Sequence, residues 1–94
     1  MLVRVARFRD QPERFAEGRY RWVFDALLAS RGFQAAYDVV DPSTGDSLSI
    51  GVFDDIESMR AAERAVGDER RRLGIAAHPP DEVVVWDVVE SAVR

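Results

Sequence analysis

One histidine, thirteen arginines and no cysteine, lysine or asparagine set the chemistry open to this chain. Without cysteine there are no disulfides, thiolate metal sites or cysteine nucleophiles, and without lysine there is no Schiff-base catalysis. His78 is the one side chain whose unperturbed pKa lies near neutrality, so any imidazole base must be this residue. It stands in Ala77-His78-Pro79-Pro80, a loop because tandem prolines cannot continue a helix; there the alternative is plain exposure. Asp87 interrupts the apolar run EVVVWDVVE. Burial there would raise its pKa and make it a proton acceptor; the alternative is a place at the mouth of a sheet or beside an arginine. Arg19 falls among the apolar residues of the first helical segment, between Phe15 and Ala26 around the helix, and either snorkels to water or meets an anion. Its neighbours Tyr20, Trp22 and Phe24 would wall a planar ligand, or else pack a core and a contact with a second copy.

Other chemistries find no footing. Phosphate-binding glycine loops, nucleotide fingerprints, Ser-His-Asp spacing and metal-ligand clusters are missing from the sequence, so neither a cofactor nor a metal is expected. Arg70-Arg71-Arg72 read as a solvated helix end that complements the helix dipole, with anion binding as the lesser reading. The net charge of −4 argues against a nucleic-acid partner, because neutralising phosphates needs a basic surface. The apolar runs are short, Ala26–Ala29 and Val83–Trp86 among the longest, so neither a signal peptide nor a membrane span is expected. Together with the missing cysteine this fits a cytoplasmic protein. At 47% hydrophobic and 32% charged residues the chain reads as one globular domain over residues 1–94.

The elements that must position these side chains are legible from periodicity. Leu2–Phe8 reads as a strand with Val3 and Val5 on one face and Leu2, Ala6 and Phe8 on the other, interrupted by Arg4 and Arg7. Pro12 suits a helix first turn with Asp10 or Gln11 as cap, and the helix is expected to run to Arg31, weakened at Gly18 and closed by Gly32. Phe33–Val40 and Ser47–Phe53 flank Asp41-Pro42-Ser43-Thr44-Gly45-Asp46, which reads as a β-hairpin with a polar turn. Leu48, Ile50 and Val52 alternate with Ser47, Ser49 and Gly51. Asp54 with Glu57 reads as a capping box opening a second helix, whose apolar stripe is Met59, Ala62, Val66 and Leu73. Gly67 is a candidate break in that helix and Gly74 its end. Glu82–Glu90 is the last strand, apolar on both sides apart from Asp87 and so expected to be buried on both.

The order β-α-β-β-α-β predicts an α+β, ferredoxin-like fold, with a four-stranded antiparallel sheet and two helices on one face. The other face is left bare and apolar, and a second copy packed sheet to sheet about a two-fold axis would cover it. A homodimer is therefore expected.

The run GFQAAYDVVDPSTGDSLSIGVFDDIESMRAAE, with the VARFR opening and the terminal VVVWDVV, resembles the antibiotic-biosynthesis-monooxygenase-like (ABM) domain of the dimeric α+β barrel proteins. The resemblance implies a homodimer with an apolar pocket between helices and sheet in each subunit. Some members oxidise aromatic polyketides with molecular oxygen and neither metal nor flavin, others degrade haem, and many have no assigned reaction. Quinone-forming members use Trp, Tyr, Arg and Asn together, a set this asparagine-free chain cannot complete. Haem-degrading members carry Trp and His on the second helix and Asn on the first strand; here that helix has no aromatic residue, and His78 falls beyond its end.

A helix–sheet pocket is thus expected, lined by Trp22, Tyr37, Phe53, Met59 and Trp86, with Arg19 or His78 near its mouth and a planar, anionic aromatic as its occupant. Three classes follow. One is a small cofactor-free oxygenase acting on a bound aromatic substrate. The second is a non-catalytic dimer binding a small apolar ligand, and the third is an interaction module without a cavity. An open cavity separates the first two from the third, and a titratable group facing it separates the first from the second.

Overall fold

The computed structural model describes residues 1–9 and 18–94. Its elements are β1 (Leu2–Phe8), α1 (Arg21–Leu28), β2 (Phe33–Val40), β3 (Ser47–Phe53), α2 (Ile56–Leu73) and β4 (Glu82–Asp87). The sheet order is β2-β3-β1-β4 with every neighbouring pair antiparallel, so the ferredoxin-like α+β architecture read from the sequence is the one observed. Among the described residues no helix is long and apolar enough to cross a membrane.

The β2–β3 turn closes as its residue types dictate. Asp41 Oδ1 accepts from Ser43 N at 2.9 Å and Ser43 Oγ at 2.7 Å, while Asp41 N donates to Asp46 O at 2.7 Å. These hydrogen bonds, the Ser43 hydroxyl first, hold the Asp41 carboxyl below its ordinary pKa. Arg7 Nη2 reaches Asp46 Oδ2 at 3.1 Å and ties the turn to β1.

α2 starts one residue later than the capping-box reading. Asp55, not Asp54, is the N-cap, its Oδ1 accepting from Ser58 N at 2.7 Å. Asp54 instead accepts from Gln34 Nε2 on β2. Gly67 does not interrupt the helix, which continues to Leu73 and is capped by Gly74 at φ 67°. Burial of Met59 and Ala62 before it, with the Asp68–Arg71 and Glu69–Arg72 ion pairs and the Gly74 cap after it, carries the helix through a residue of poor intrinsic propensity. Of its expected stripe Met59 and Ala62 are buried, Val66 is half-buried and Leu73 is exposed.

α1 is shorter than expected. A turn over Gly18, Arg19 and Tyr20 precedes it, and the expected cap at Asp10 or Gln11 and first turn at Pro12 lie outside the described residues. It ends at Leu28, before Gly32, because Ser30 takes over the last carbonyls: its N donates to Leu27 O and its Oγ to Ala26 O, each at 2.9 Å. Gly32 works at the start of β2 instead. It has a φ of 82°, and a Cβ there would collide with the Ser58 side chain. Only glycine lets β2 pass this close to α2.

One layer of the core lies between helices and sheet, where Leu2, Phe53, Met59 and Ala62 cluster with Leu27 and Phe33 packed against them. Phe33 and Phe53 meet edge to face at 5.8 Å. Leu2, Ala6 and Phe8 point into this layer, leaving Val3 and Val5 on the other face as the alternation required. Cross-strand partners share a face, so Leu48, Ile50, Val52, Val84 and Trp86 lie on the outer side with them.

The double burial expected of β4 is not found within one chain. It is an edge strand ending at Asp87, and the helices pack chiefly over β2 and β3. Val83 and Val85 are exposed on one face, and Trp86 is 61% exposed on the other.

Candidate functional site

The first turns of α1, the middle of α2 and the adjoining half of the sheet enclose a cavity of about 380 Å³. The volume lies within the range of small-ligand sites. α1 contributes Val23, Phe24 and Leu27, with Tyr20 at its N-terminus, the i, i+3, i+4, i+7 stripe that a helix presents to one side. From α2 come Glu63, Val66 and Gly67, and from the sheet Arg4, Ala36, Asp38, the consecutive Ser49, Ile50 and Gly51, and Phe53.

Apolar and aromatic groups make most of the wall. The polar groups are few and three of them are charged: Arg4 Nε meets Glu63 Oε1 at 2.8 Å, and Ser49 Oγ donates to Asp38 Oδ1 at 2.8 Å across β2 and β3. Arg4 sits at the centre of β1, between Gly51 of β3 and Val85 of β4. Gly51 keeps the floor of the cavity low, since a side chain there would run into the Phe53 ring.

Of the residues expected to line the pocket, Phe53 does so, and Trp22, Tyr37, Met59 and Trp86 do not. Met59 is buried in the core beneath α2, and Trp22 is half-buried on another sector of α1. Trp86 pairs with Val3 and so faces outward. Tyr37 is 58% exposed on that same outer face. Its displacement has a local cause. Phe33 pairs with Phe53 and Ala35 with Val52, so Gln34 is an extra residue in β2 and the alternation slips there by one. Beyond the bulge Ala36 and Asp38 face the cavity, while Ala35, Tyr37 and Val39 face away.

The suspected catalytic groups also lie elsewhere. Arg19 is exposed in the turn before α1, its guanidinium 5.8 Å from the Tyr20 ring centroid in a cation–π contact. His78 is exposed in the loop between α2 and β4, and Asp87 is exposed at the end of β4. None of the three lines the cavity. Sequence reasoning missed Arg4, Asp38 and Glu63. The signal for Arg4 was present: a charge at an even position of β1, in register with the buried Leu2, Ala6 and Phe8, must point under the helices. Arg70, Arg71 and Arg72 behave as a helix end: Arg70 Nη1 donates to Ile75 O at 3.0 Å, and Arg71 and Arg72 pair with Asp68 and Glu69. Among the described residues no three His, Cys, Asp or Glu are grouped to hold a metal ion.

No family model and no curated protein matches the chain. Solved structures do. SnoaB from Streptomyces nogalater, a cofactor-independent oxygenase, superimposes with a TM-score of 0.73 at 17% identity, over 96% of this chain and 94% of that one. The fold is that of the antibiotic-biosynthesis-monooxygenase-like proteins. The monooxygenase ActVA-Orf6 of Streptomyces coelicolor, solved with Nanaomycin D, is similar at a TM-score of 0.66 and 15% identity, over 99% and 91% of the two chains. Rv0793 of Mycobacterium tuberculosis is similar at 0.64 and 16% identity, over 98% of each.

Proposed function

We propose that the chain is a cofactor-free, monooxygenase-like protein that binds a small aromatic molecule in the helix–sheet cavity and works as a homodimer over a single domain of residues 1–94. The observation that carries this reading is the cavity itself, walled by Tyr20, Phe24 and Phe53 and lined as well by the charged groups of Arg4, Asp38 and Glu63. SnoaB and ActVA-Orf6, the latter with a ligand bound, support the monooxygenase part by likeness of fold. The apolar outer face of the sheet supports the dimer. Missing cysteine fits a reducing, cytoplasmic setting.

In this reading the aromatic walls hold the ring and exclude water. Asp38, oriented by Ser49, accepts the proton of a ring hydroxyl, and the N–H donors of Arg4 not taken by Glu63 hydrogen-bond the substrate oxygen. The electron-rich ring then reacts with molecular oxygen. For a hydroxyarene oxidised to a quinone, one oxygen atom enters the ring and the other leaves as water, so one dioxygen is consumed per turnover. A carrier that binds without turnover is the second reading; titratable groups facing the cavity favour the enzyme.

The test is oxygen uptake and product mass with a panel of hydroxynaphthalenes and anthrones, alongside calorimetric binding. Stoichiometric uptake that fails in Asp38→Ala supports the enzyme. Binding without uptake leaves the carrier, and no binding by any member removes both.

A further inference from the structure

Resting on that reading of the cavity, a finer property follows from its one ion pair. Arg4 is the only cationic side chain among the described residues that line the space. It is half-buried in mid-sheet, and Glu63 reaches it from α2 at 2.8 Å. A guanidinium carries five N–H donors and one carboxylate can take two of them at most, so at least three remain for water or a ligand. The charge is another matter. Glu63 already neutralises Arg4, so the pair offers hydrogen-bond donors without offering net positive potential. Asp38 adds a further carboxylate to the same lining.

We infer that the Arg4–Glu63 pair sets the charge selectivity of the cavity: it takes a ligand through an uncharged acceptor oxygen, a ketone or quinone carbonyl, and turns away the isosteric carboxylate. This reverses the expectation of an anionic ligand held by Arg19. A carbonyl oxygen accepts one or two of the spare donors and leaves the ion pair intact. A carboxylate must compete with Glu63 for the same guanidinium and bring a like charge close to it. Partial exposure of both partners screens that repulsion, so the discrimination is moderate rather than absolute.

Calorimetry on the full chain with three naphthalenes of matched shape tests this: 2-acetylnaphthalene, 2-naphthoate and 2-isopropylnaphthalene. In the wild type the ketone binds about ten-fold more tightly than either of the others, as one charge-assisted hydrogen bond provides. Glu63→Gln raises naphthoate affinity about ten-fold, a gain that shrinks with added salt, and leaves the hydrocarbon unchanged. Arg4→Gln lowers the ketone to the level of the hydrocarbon. The hydrocarbon reports whether the cavity survives each change; should Arg4→Gln fail to fold, Glu63→Gln at its exposed helix position decides alone. Equal binding of ketone and carboxylate to the wild type, with Glu63→Gln without effect, overturns the selectivity and leaves the cavity reading standing. If none of the three binds the wild type, both are overturned.

Discussion

Trp86→Ala separates what one chain contributes to stability from what a second copy adds. Trp86 stands on the outer face of β4 with 61% of its surface exposed. A tryptophan buries roughly 200 Å² when fully covered, so the isolated chain covers about 80 Å² of it, worth about 2 kcal/mol at 25 cal/mol per Å². A partner sheet that covers the remaining ~120 Å² adds about 3 kcal/mol per protomer, as an upper bound, and both protomers of a two-fold dimer carry the substitution. The expected signature is a dependence on concentration. Wild-type melting temperature rises from micromolar to hundreds of micromolar protein, as mass action requires of a dimer. Trp86→Ala is monomeric by sedimentation over that range and melts at a temperature independent of concentration. A wild type that sediments as a monomer throughout, with the substitution costing no more than about 2 kcal/mol in urea, refutes the outer-face interface.

Phe53→Ala removes a ring that is 3% exposed and packed on Phe33, and is expected to cost about 3–5 kcal/mol by urea denaturation. Gly32→Ala places a Cβ at φ 82° against Ser58, and is expected to destabilise by about 1–3 kcal/mol in the same assay, with Gly67→Ala stabilising or neutral as the contrast. Asp55 accepts from Ser58 N and then Ser58 Oγ, bonds that lower its pKa from 3.8. A depressed carboxylate contributes stability that is complete above the unfolded pKa and lost as pH falls through the folded one. Asp55→Asn keeps a capping oxygen without the titration, so acid melts below about pH 4 should fall less steeply in the variant than in the wild type.

The hairpin was legible because its turn chemistry is local: Asp41, Pro42, Ser43 and Gly45 specify the reversal whatever lies around them. The β1 faces followed from simple alternation. The cap of α2 was misplaced by one residue because Asp54 and Asp55 are both good caps, and only the contact from Gln34 assigns Asp54 elsewhere. The site was harder to read. Its α1 wall, Tyr20, Val23, Phe24 and Leu27, is a regular helical stripe, but the large ring of Trp22 drew attention to the wrong sector. Strand-to-strand register decides the face of Trp86, and register with β1 is a long-range property that no local pattern carries. The place of Arg4 under the helices was implied by its neighbours, yet a charge in a strand reads first as an edge.

The extra residue at Gln34 bears on how this chain is compared with others of its fold. β2 serves two masters: before the bulge its odd positions face the helices, and after it the even ones do. Deleting Gln34 would restore simple alternation and leave Ala36 and Asp38 on the cavity side, whereas a β2 straightened with Gln34 kept in the ladder would bring Tyr37 and Val39 there, a large, apolar wall in place of a small, acidic one. The bulge thereby sets the cavity wall and the outer face together. The same arithmetic governs alignment. At identities of 15–17% a gap set one position away pairs wall residues with outer-face residues, so equivalence along β2 has to be drawn from the ladder rather than from the letters.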